Sequence, residues 1–184
     1  RISKYVEPDI LVVTNFFRDQ LDRYGELYTT LNGVKAGLSN QKNTKLILNA
    51  DDSLCASIGK DSEKEAVYYG IVNNACISTE DSNNLDASFC IYCKSKYEYD
   101  WHVYGHLGGF KCPTCGYSRP DSSVSCTRVI ELNSAYTEIQ FSIETSKKGP
   151  NCSQEHEEFY DAKVNLPGLY NVYNALSAVA CGNM

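Results

Sequence analysis

Two pairs of cysteines, each with two residues between its members, constrain this chain more than any other feature of its sequence. The first pair is Cys90-Ile-Tyr-Cys93 and the second is Cys112-Pro-Thr-Cys115, with 18 residues between them. This spacing is typical of a four-thiolate zinc site, because each tight turn places two sulfurs on one edge and two turns complete a tetrahedron. Four thiolates leave no position open for water or substrate. The pattern therefore predicts a structural zinc ion in a zinc ribbon over residues 88–119, inserted in a larger fold.

Other interpretations of this segment stay open at the level of sequence. Each cysteine pair could be a redox dithiol, or the thiols could be unpaired residues of a hydrophobic core. His102 and His106 lie between the pairs and could compete as ligands, although a histidine beside a ribbon is more often a packing or surface residue. The alternating aromatics Tyr97, Tyr99 and Trp101 are typical of a hairpin packed on a metal site.

The other cysteines help to indicate the cellular compartment of the protein. Five of the nine are scattered singly along the chain: Cys55, Cys76, Cys126, Cys152 and Cys181. Paired CxxC units with isolated thiols favour a reducing compartment over a disulfide framework. No run approaches the roughly 20 apolar residues that span a bilayer, and no signal peptide is visible at the start. We therefore expect a cytoplasmic protein without a transmembrane segment.

The charge of the chain argues against a nucleic-acid partner. The formal net charge is −6, and the longest run of basic residues is the pair at 147–148. Nucleic-acid binders usually show a basic footprint. An alternative function is a non-catalytic zinc-ribbon module that docks a partner through exposed Tyr97, Tyr99 and Trp101, and the acidic balance disfavours a nucleic acid as that partner.

Outside the cysteine segment, short apolar runs alternate with amphipathic stretches. The predicted strands are 9–14, 45–49 and 66–72, and the predicted helices are 27–38 and 53–58. This order, with short links, predicts an α/β fold with an open, mainly parallel sheet and flanking helices. A polar stretch at 73–86 predicts a loop. Alternating patterns at 125–132, 138–144 and 159–165 predict a small antiparallel sheet, and a helix is predicted from Leu169 onward.

Two segments beside these elements resemble the Mur ligase family. Residues 14–26, which follow the first predicted strand, are similar to the family's Asn, Asp-His-Leu-Asp and Gly segment. Residues 166–178 resemble the family's Gly-x-aromatic-Asn-x-x-Asn-Ala helix start, and residues 49–52 match a strand end of the family. The resemblance runs from about Pro8 to the C-terminus. It implies that 1–87 and 120–184 form a Mur-ligase-like central, ATP-binding domain, truncated at both ends.

The resemblance also implies roles for particular residues. Asn171 and Asn174 would contact the adenine of ATP, because an amide offers both a donor and an acceptor. Asn15 and Asp19 would line the site beyond the first strand, where ligands bind in open α/β sheets. Gln20 stands where the family has a magnesium-holding His. No catalytic residue is expected within the chain itself.

Each of these positions also has a local interpretation. Asn171 could be a helix cap, and Asp19 could belong to an ordinary solvated helix start. Asp51 and Asp52 are open between an N-cap pair and a site-facing pair.

Together with the four-cysteine insertion, the resemblance implies an amidotransferase ligase of peptidoglycan synthesis that uses ATP and magnesium. Such an enzyme amidates the D-glutamate α-carboxylate of lipid II, at the inner membrane face, to D-isoglutamine. Its ammonia comes from a separate GatD-type glutaminase subunit. No Gly-x-x-x-x-Gly-Lys-Ser/Thr phosphate loop occurs in these 184 residues. We therefore expect the chain alone to be inactive.

Overall fold

A six-stranded mixed sheet organises the protein. The computed structural model describes residues 6–17, 26–72, 88–146 and 155–184. In chain order the elements are β1 (Ile10–Val13), α1 (Glu26–Leu38), β2 (Lys45–Asn49), α2 (Ser53–Lys60), β3 (Ala66–Ile71), β4 (Glu98–Tyr104), β5 (Leu107–Lys111), β6 (Val124–Leu132), β7 (Thr137–Ser146), β8 (Glu155–Val164) and α3 (Leu169–Gly182). The strand order in the large sheet is β1-β2-β3-β6-β7-β8, and β4 and β5 form a separate two-stranded sheet.

The first half of the large sheet is parallel, as predicted. β1 pairs with β2 and β2 pairs with β3, both in parallel. Leu46, Ile47 and Leu48 are fully buried, because a parallel strand in the middle of an α/β layer packs on both of its faces. α1 and α2 cover the face that carries Leu46 and Leu48, and α3 covers the face that carries Ile47. The carboxyl ends of these strands therefore share one edge of the sheet.

The later strands differ from the prediction in how they are joined. β6 pairs with β7 and β7 with β8 in antiparallel fashion, but β6 also pairs with β3 in parallel. The three strands are therefore an extension of the large sheet rather than a sheet of their own. The physical reason is that Val124–Cys126 is continuously buried and pairs with β3, and burial alternates only in the residues that follow. The small antiparallel sheet is instead the β4–β5 hairpin between the two cysteine pairs.

α3 begins directly after a glycine with a positive φ. Gly168, the N-cap residue, has a φ of 96°, a conformation that glycine adopts without the steric cost of a Cβ. Val172, Leu176 and Ala180 then recur at helical spacing and are fully buried against the sheet. The first turn of α3 is thereby fixed beside the strands.

In the part of the chain that the structure describes, no helix is long and apolar enough to cross a membrane. The predicted loop at 73–86 lies outside the described residues.

Candidate functional site

The two cysteine pairs converge on one point. The four sulfur atoms lie within 4.8 Å of one another, and they belong to Cys90, Cys93, Cys112 and Cys115. The sulfurs of Cys90 and Cys115 are 3.5 Å apart, and those of Cys93 and Cys112 are 3.3 Å apart. A tetrahedral zinc ion with Zn–S bonds of about 2.3 Å needs sulfurs about 3.8 Å apart. The donor set and its spacing fit a closed, structural zinc site.

Two matching tight turns bring the sulfurs together. The N–H of Lys94 donates to the carbonyl of Cys90 at 2.9 Å, and the N–H of Gly116 donates to the carbonyl of Cys112 at 3.0 Å. Both donors have positive φ values, 64° for Lys94 and 75° for Gly116. The repeat of one turn in two unrelated segments supports a common ligand.

The electrostatics of the cluster favour a cation. The N–H of Ser95 lowers the pKa of Cys93 to about 6. The N–H of Tyr117 lowers the pKa of Cys115, but desolvation and the neighbouring sulfurs outweigh it and raise that pKa to about 12. The raised pKa of Cys115 means that the cluster keeps a proton when no positive ion is present, because a further negative sulfur would be repelled by its neighbours. A divalent cation would remove that cost.

The aromatic residues of the insertion form its core. Tyr97, Phe110 and Tyr117 pack against one another with ring centroids 5.3 to 6.3 Å apart, and Tyr97 is only 4% exposed. Tyr99 and Trp101 are half-buried. Tyr97 is therefore not exposed, as the alternative of a docking module requires, and the packing of these rings agrees with the predicted hairpin beside a metal site.

Both histidines of the insertion are packing residues. His102 stacks on Tyr99 at a centroid distance of 4.2 Å. His106 is buried, with its Nε2 3.4 Å from Oδ2 of Asp52 and its ring edge-on to Phe17. Among the described residues, the metal-binding group consists of the four cysteines only.

Asp52 has a capping role. Its Oδ1 accepts the N–H groups of Leu54 at 2.8 Å and Cys55 at 3.2 Å, at the start of α2. Its Oδ2 accepts the N–H of Phe16 at 2.7 Å. Burial alone raises the pKa of Asp52, but His106 and these N–H donors outweigh burial and hold the pKa below its usual value. Asp52 therefore joins α2, the end of β1 and the insertion.

Asp51 faces a different set of partners and is fully buried. Its Oδ1 accepts Nε–H of Arg119 at 2.6 Å, and its Oδ2 accepts the Tyr173 hydroxyl at 2.7 Å and the N–H of Ile71 at 2.8 Å. Burial raises the pKa of Asp51, in opposition to these donors. Arg119 and Tyr173 were not singled out from the sequence. The one signal for such a site is Gly70, a glycine in a strand interior beside the carboxylate.

Asn15 lies just beyond β1, at the carboxyl edge of the sheet, and its role at a ligand site stays a prediction. It lines a groove of about 420 Å³ with Val12, Phe17 and Leu27. Asp19 and Gln20 lie outside the described residues.

Asn171 and Asn174 lie one turn apart at the start of α3. Nδ2 of Asn171 donates to the carbonyl of Pro167 at 2.7 Å, and Nδ2 of Asn174 lies 3.4 Å from Oδ1 of Asn171. The N-cap residue is Gly168, so Asn171 is not the helix cap. Its side chain instead bonds to the segment that leads into the helix. Asn171 is buried and Asn174 is exposed. Tyr173, between them in sequence, reaches Asp51, so this helix start lies at the carboxyl edge of the sheet.

Comparison with known proteins extends these observations. No family model matches the chain. It is 31% identical over 180 residues to the lipid II isoglutaminyl synthase (glutamine-hydrolyzing) subunit MurT of Streptococcus pneumoniae, a match that covers 98% of the chain. It is 33% identical over 178 residues to the MurT subunit of Staphylococcus aureus, a match that covers 97% of the chain. The chain spans 36% of the length of these relatives. It is thus related, over nearly its whole extent, to about a third of the MurT subunit of lipid II isoglutaminyl synthase.

Proposed function

We propose that the chain is part of an ATP-dependent carbon–nitrogen ligase of peptidoglycan synthesis, of the lipid II isoglutaminyl synthase type. The observation that carries this proposal is the 31–33% identity to MurT subunits along 97–98% of the chain. The cluster of four cysteines agrees with a structural zinc ion in an insertion over 88–119. The rest of the chain, 1–87 and 120–184, is proposed to be a Mur-ligase-like central domain.

The proposed reaction has two steps. The α-carboxylate of D-glutamate in lipid II attacks the γ-phosphorus of ATP, giving an acyl phosphate and ADP. Ammonia then attacks the acyl carbon, loses a proton, and expels phosphate to leave the amide of D-isoglutamine. A GatD-type glutaminase subunit supplies the ammonia from glutamine, and magnesium accompanies ATP. Holding ammonia beside the acyl phosphate removes much of the entropic barrier to this second step.

Within the chain, the proposed nucleotide contacts are Asn171 and Asn174. The amide of Asn171 keeps its Oδ1 toward Asn174 while its Nδ2 is held by Pro167, so the oxygen can accept from the amino group of adenine. Asn15 and Asp19 are proposed to line the same edge. The groups that grip the phosphates are proposed to lie in the part of the relatives' length that the chain does not span.

The proposed compartment is the cytoplasm. Four of the described cysteines cluster as candidate metal ligands, and a thiolate metal site of this kind agrees with a reducing environment. The lipid II substrate would be met at the inner membrane face.

The test uses the full-length protein together with its glutaminase partner. Lipid II, ATP, magnesium and glutamine labelled with ¹⁵N at its side-chain amide are incubated, and the stem peptide is analysed by mass spectrometry. We expect ¹⁵N in the D-isoglutamine amide, and, in a matched reaction, ammonium salts should replace the partner. Hydrolysis of ATP without any amidation of lipid II, with either nitrogen source, would contradict the proposal.

A further inference from the structure

We propose that Asp51 is a positioning residue that couples the cysteine insertion to the first turn of α3. Through it, metal binding at the four cysteines would set the affinity of the nucleotide site at that turn. The statement about nucleotide rests on the proposed function, whereas the coupling between insertion and helix does not.

The contacts on the insertion side form a continuous path. Phe110 packs in the same buried cluster as Cys90 and Cys112. The N–H of Arg119 donates to the carbonyl of Phe110 at 2.9 Å, and the guanidinium of Arg119 then donates to Asp51. A second contact comes from the hairpin, where the N–H of Gly108 donates to the backbone carbonyl of Asp51 at 3.0 Å. The insertion therefore holds both the side chain and the backbone at this position.

The contact on the helix side is a single rigid group. Tyr173 is fully buried in the first half of α3, and its hydroxyl donates to the second oxygen of Asp51. Asn171 lies two residues earlier, on the same turn. Because a buried tyrosine ring has little rotational freedom, the position of its hydroxyl fixes the position of this turn relative to the strand end.

The sheet makes room for this arrangement at one place. A Cβ added at Gly70 in β3 would lie 2.5 Å from Oδ1 of Asp51 and 2.6 Å from Nη2 of Arg119. Glycine weakens a strand interior and is found there when another group approaches closely. β3 therefore has a glycine where the Asp51–Arg119 ion pair lies against it, although glycine weakens the strand.

One buried carboxylate thus serves both sides. If Arg119 is displaced, Asp51 loses the charge that offsets its desolvation and its hydrogen bond to Tyr173 is disturbed. Release of the metal removes the constraint on the two cysteine turns. The segment that carries Arg119 is then no longer held in place by the second turn. The first turn of α3 then becomes less ordered.

The experiment compares the zinc-bound and chelated full-length protein by hydrogen exchange and by nucleotide binding. In wild type we expect chelation to lower amide protection over 172–180 but not in α1, and to weaken ATP binding about fivefold or more. Tyr173→Phe removes only the hydroxyl. This variant should bind ATP more weakly even with zinc present, and chelation should weaken it by less than about twofold further.

Tyr117→Phe is the matched control. Its hydroxyl donates to the carbonyl of Ser53 at 2.6 Å, so the variant also loses a buried hydrogen bond of the insertion, but one that does not lead to α3. We expect its ATP affinity and its full zinc dependence to resemble wild type.

Three outcomes would overturn the coupling: unchanged protection in α3 after chelation of the wild type, equal loss of protection in α1, or the same zinc dependence in Tyr173→Phe as in wild type. If α3 responds as expected but no variant binds ATP, the coupling stands and the proposed function fails.

Discussion

Asn171 shows how one side chain can have a local contact and still be available to a ligand. Its Nδ2 is engaged by Pro167, while its Oδ1 points to the exposed Asn174. Truncation of a purely local residue lowers the stability of the protein, whereas truncation of an adenine ligand lowers its affinity for ATP.

For Asn171→Ala in the full-length protein, the proposed function predicts that the KM for ATP rises about ten- to a hundredfold, from one or two lost hydrogen bonds worth about 1–3 kcal/mol. The preference for ATP over GTP should narrow. Zinc content and folding should stay intact. Measurement of both KM values and the thermal midpoint on one preparation separates the roles. A midpoint lowered by a loss of about 1 kcal/mol, with unchanged KM values, would make Asn171 a structural residue only.

Asp52 predicts a pH dependence of stability. Its pKa is lower in the folded state than in the unfolded chain, so the stability it contributes is present above the unfolded pKa and is lost as the pH falls through the folded pKa. In Asp52→Asn the amide oxygen still caps α2, but the side chain at position 52 no longer titrates. We expect urea midpoints at several acidic pH values to fall less steeply with acidification in the variant. Because Asp51 is present in both proteins, its opposite shift cancels in the comparison. Parallel curves would rule out this role for Asp52.

At the scale of elements, two parts of the chain depend on local geometry more than on the large core. The start of α3 needs a residue that tolerates positive φ. The cysteine turns need a metal to hold four sulfurs together. Each can be disturbed without any change in the sheet.

Gly168→Ala should destabilise the start of α3. The φ of 96° is costly for alanine, and the added Cβ would lie 2.8 Å from Cε1 of Tyr170. We expect a loss of about 1–3 kcal/mol in the free energy of unfolding. Gly182→Ala is a suitable control, since a Cβ there meets nothing within 4 Å. Equal stability of the two variants in chemical denaturation would show that the helix start is not strained.

Cys112→Ser should abolish zinc binding and the fold of the insertion. Structural zinc contributes about 10 kcal/mol or more of apparent folding free energy in small fingers. The large sheet should survive, because β2 and β3 are buried mainly against α1, α2, α3 and the neighbouring strands. Elemental analysis should give one zinc per chain for wild type and for the control Cys181→Ser, and none for Cys112→Ser. A wild-type protein without zinc would refute the assignment of the site.

At the scale of the whole molecule, the chain carries the helix start proposed for adenine but no phosphate loop in its sequence. We therefore expect that contacts to the adenine base do not by themselves lead to turnover of ATP. Base contacts can exist without the groups that hold and polarise the phosphates.

The 184-residue chain by itself should therefore not hydrolyse ATP. We expect at best millimolar affinity for adenine nucleotides, which corresponds to about 4 kcal/mol of binding free energy. Phosphate release and calorimetric titration on the purified chain check this expectation, with the full-length protein as the positive control. Turnover by the short chain would require a phosphate site among its own residues.

The sequence by itself determined the features that depend on short-range pattern. The two CxxC turns could be predicted because each is built from four consecutive residues, and β2 because a run of apolar residues indicates burial on both faces. Asn15, Asn171 and Asn174 were chosen from short motifs, and their roles at a nucleotide site stay predictions. The parallel pairing of β6 with β3 was missed, because the pattern of a strand shows which faces are buried but not which neighbour buries them.

Only the tertiary structure decided the network around Asp51. Arg119 lies 68 residues and Tyr173 122 residues away from it in sequence. No periodicity or spacing connects them, because their contact results from how the insertion, β3 and α3 pack on one strand end. The same packing buried Tyr97 and half-buried Trp101, which the sequence left free to be exposed. Local pattern determines the elements of this protein, whereas the assignment of partners to a buried charge is set by the three-dimensional arrangement of those elements.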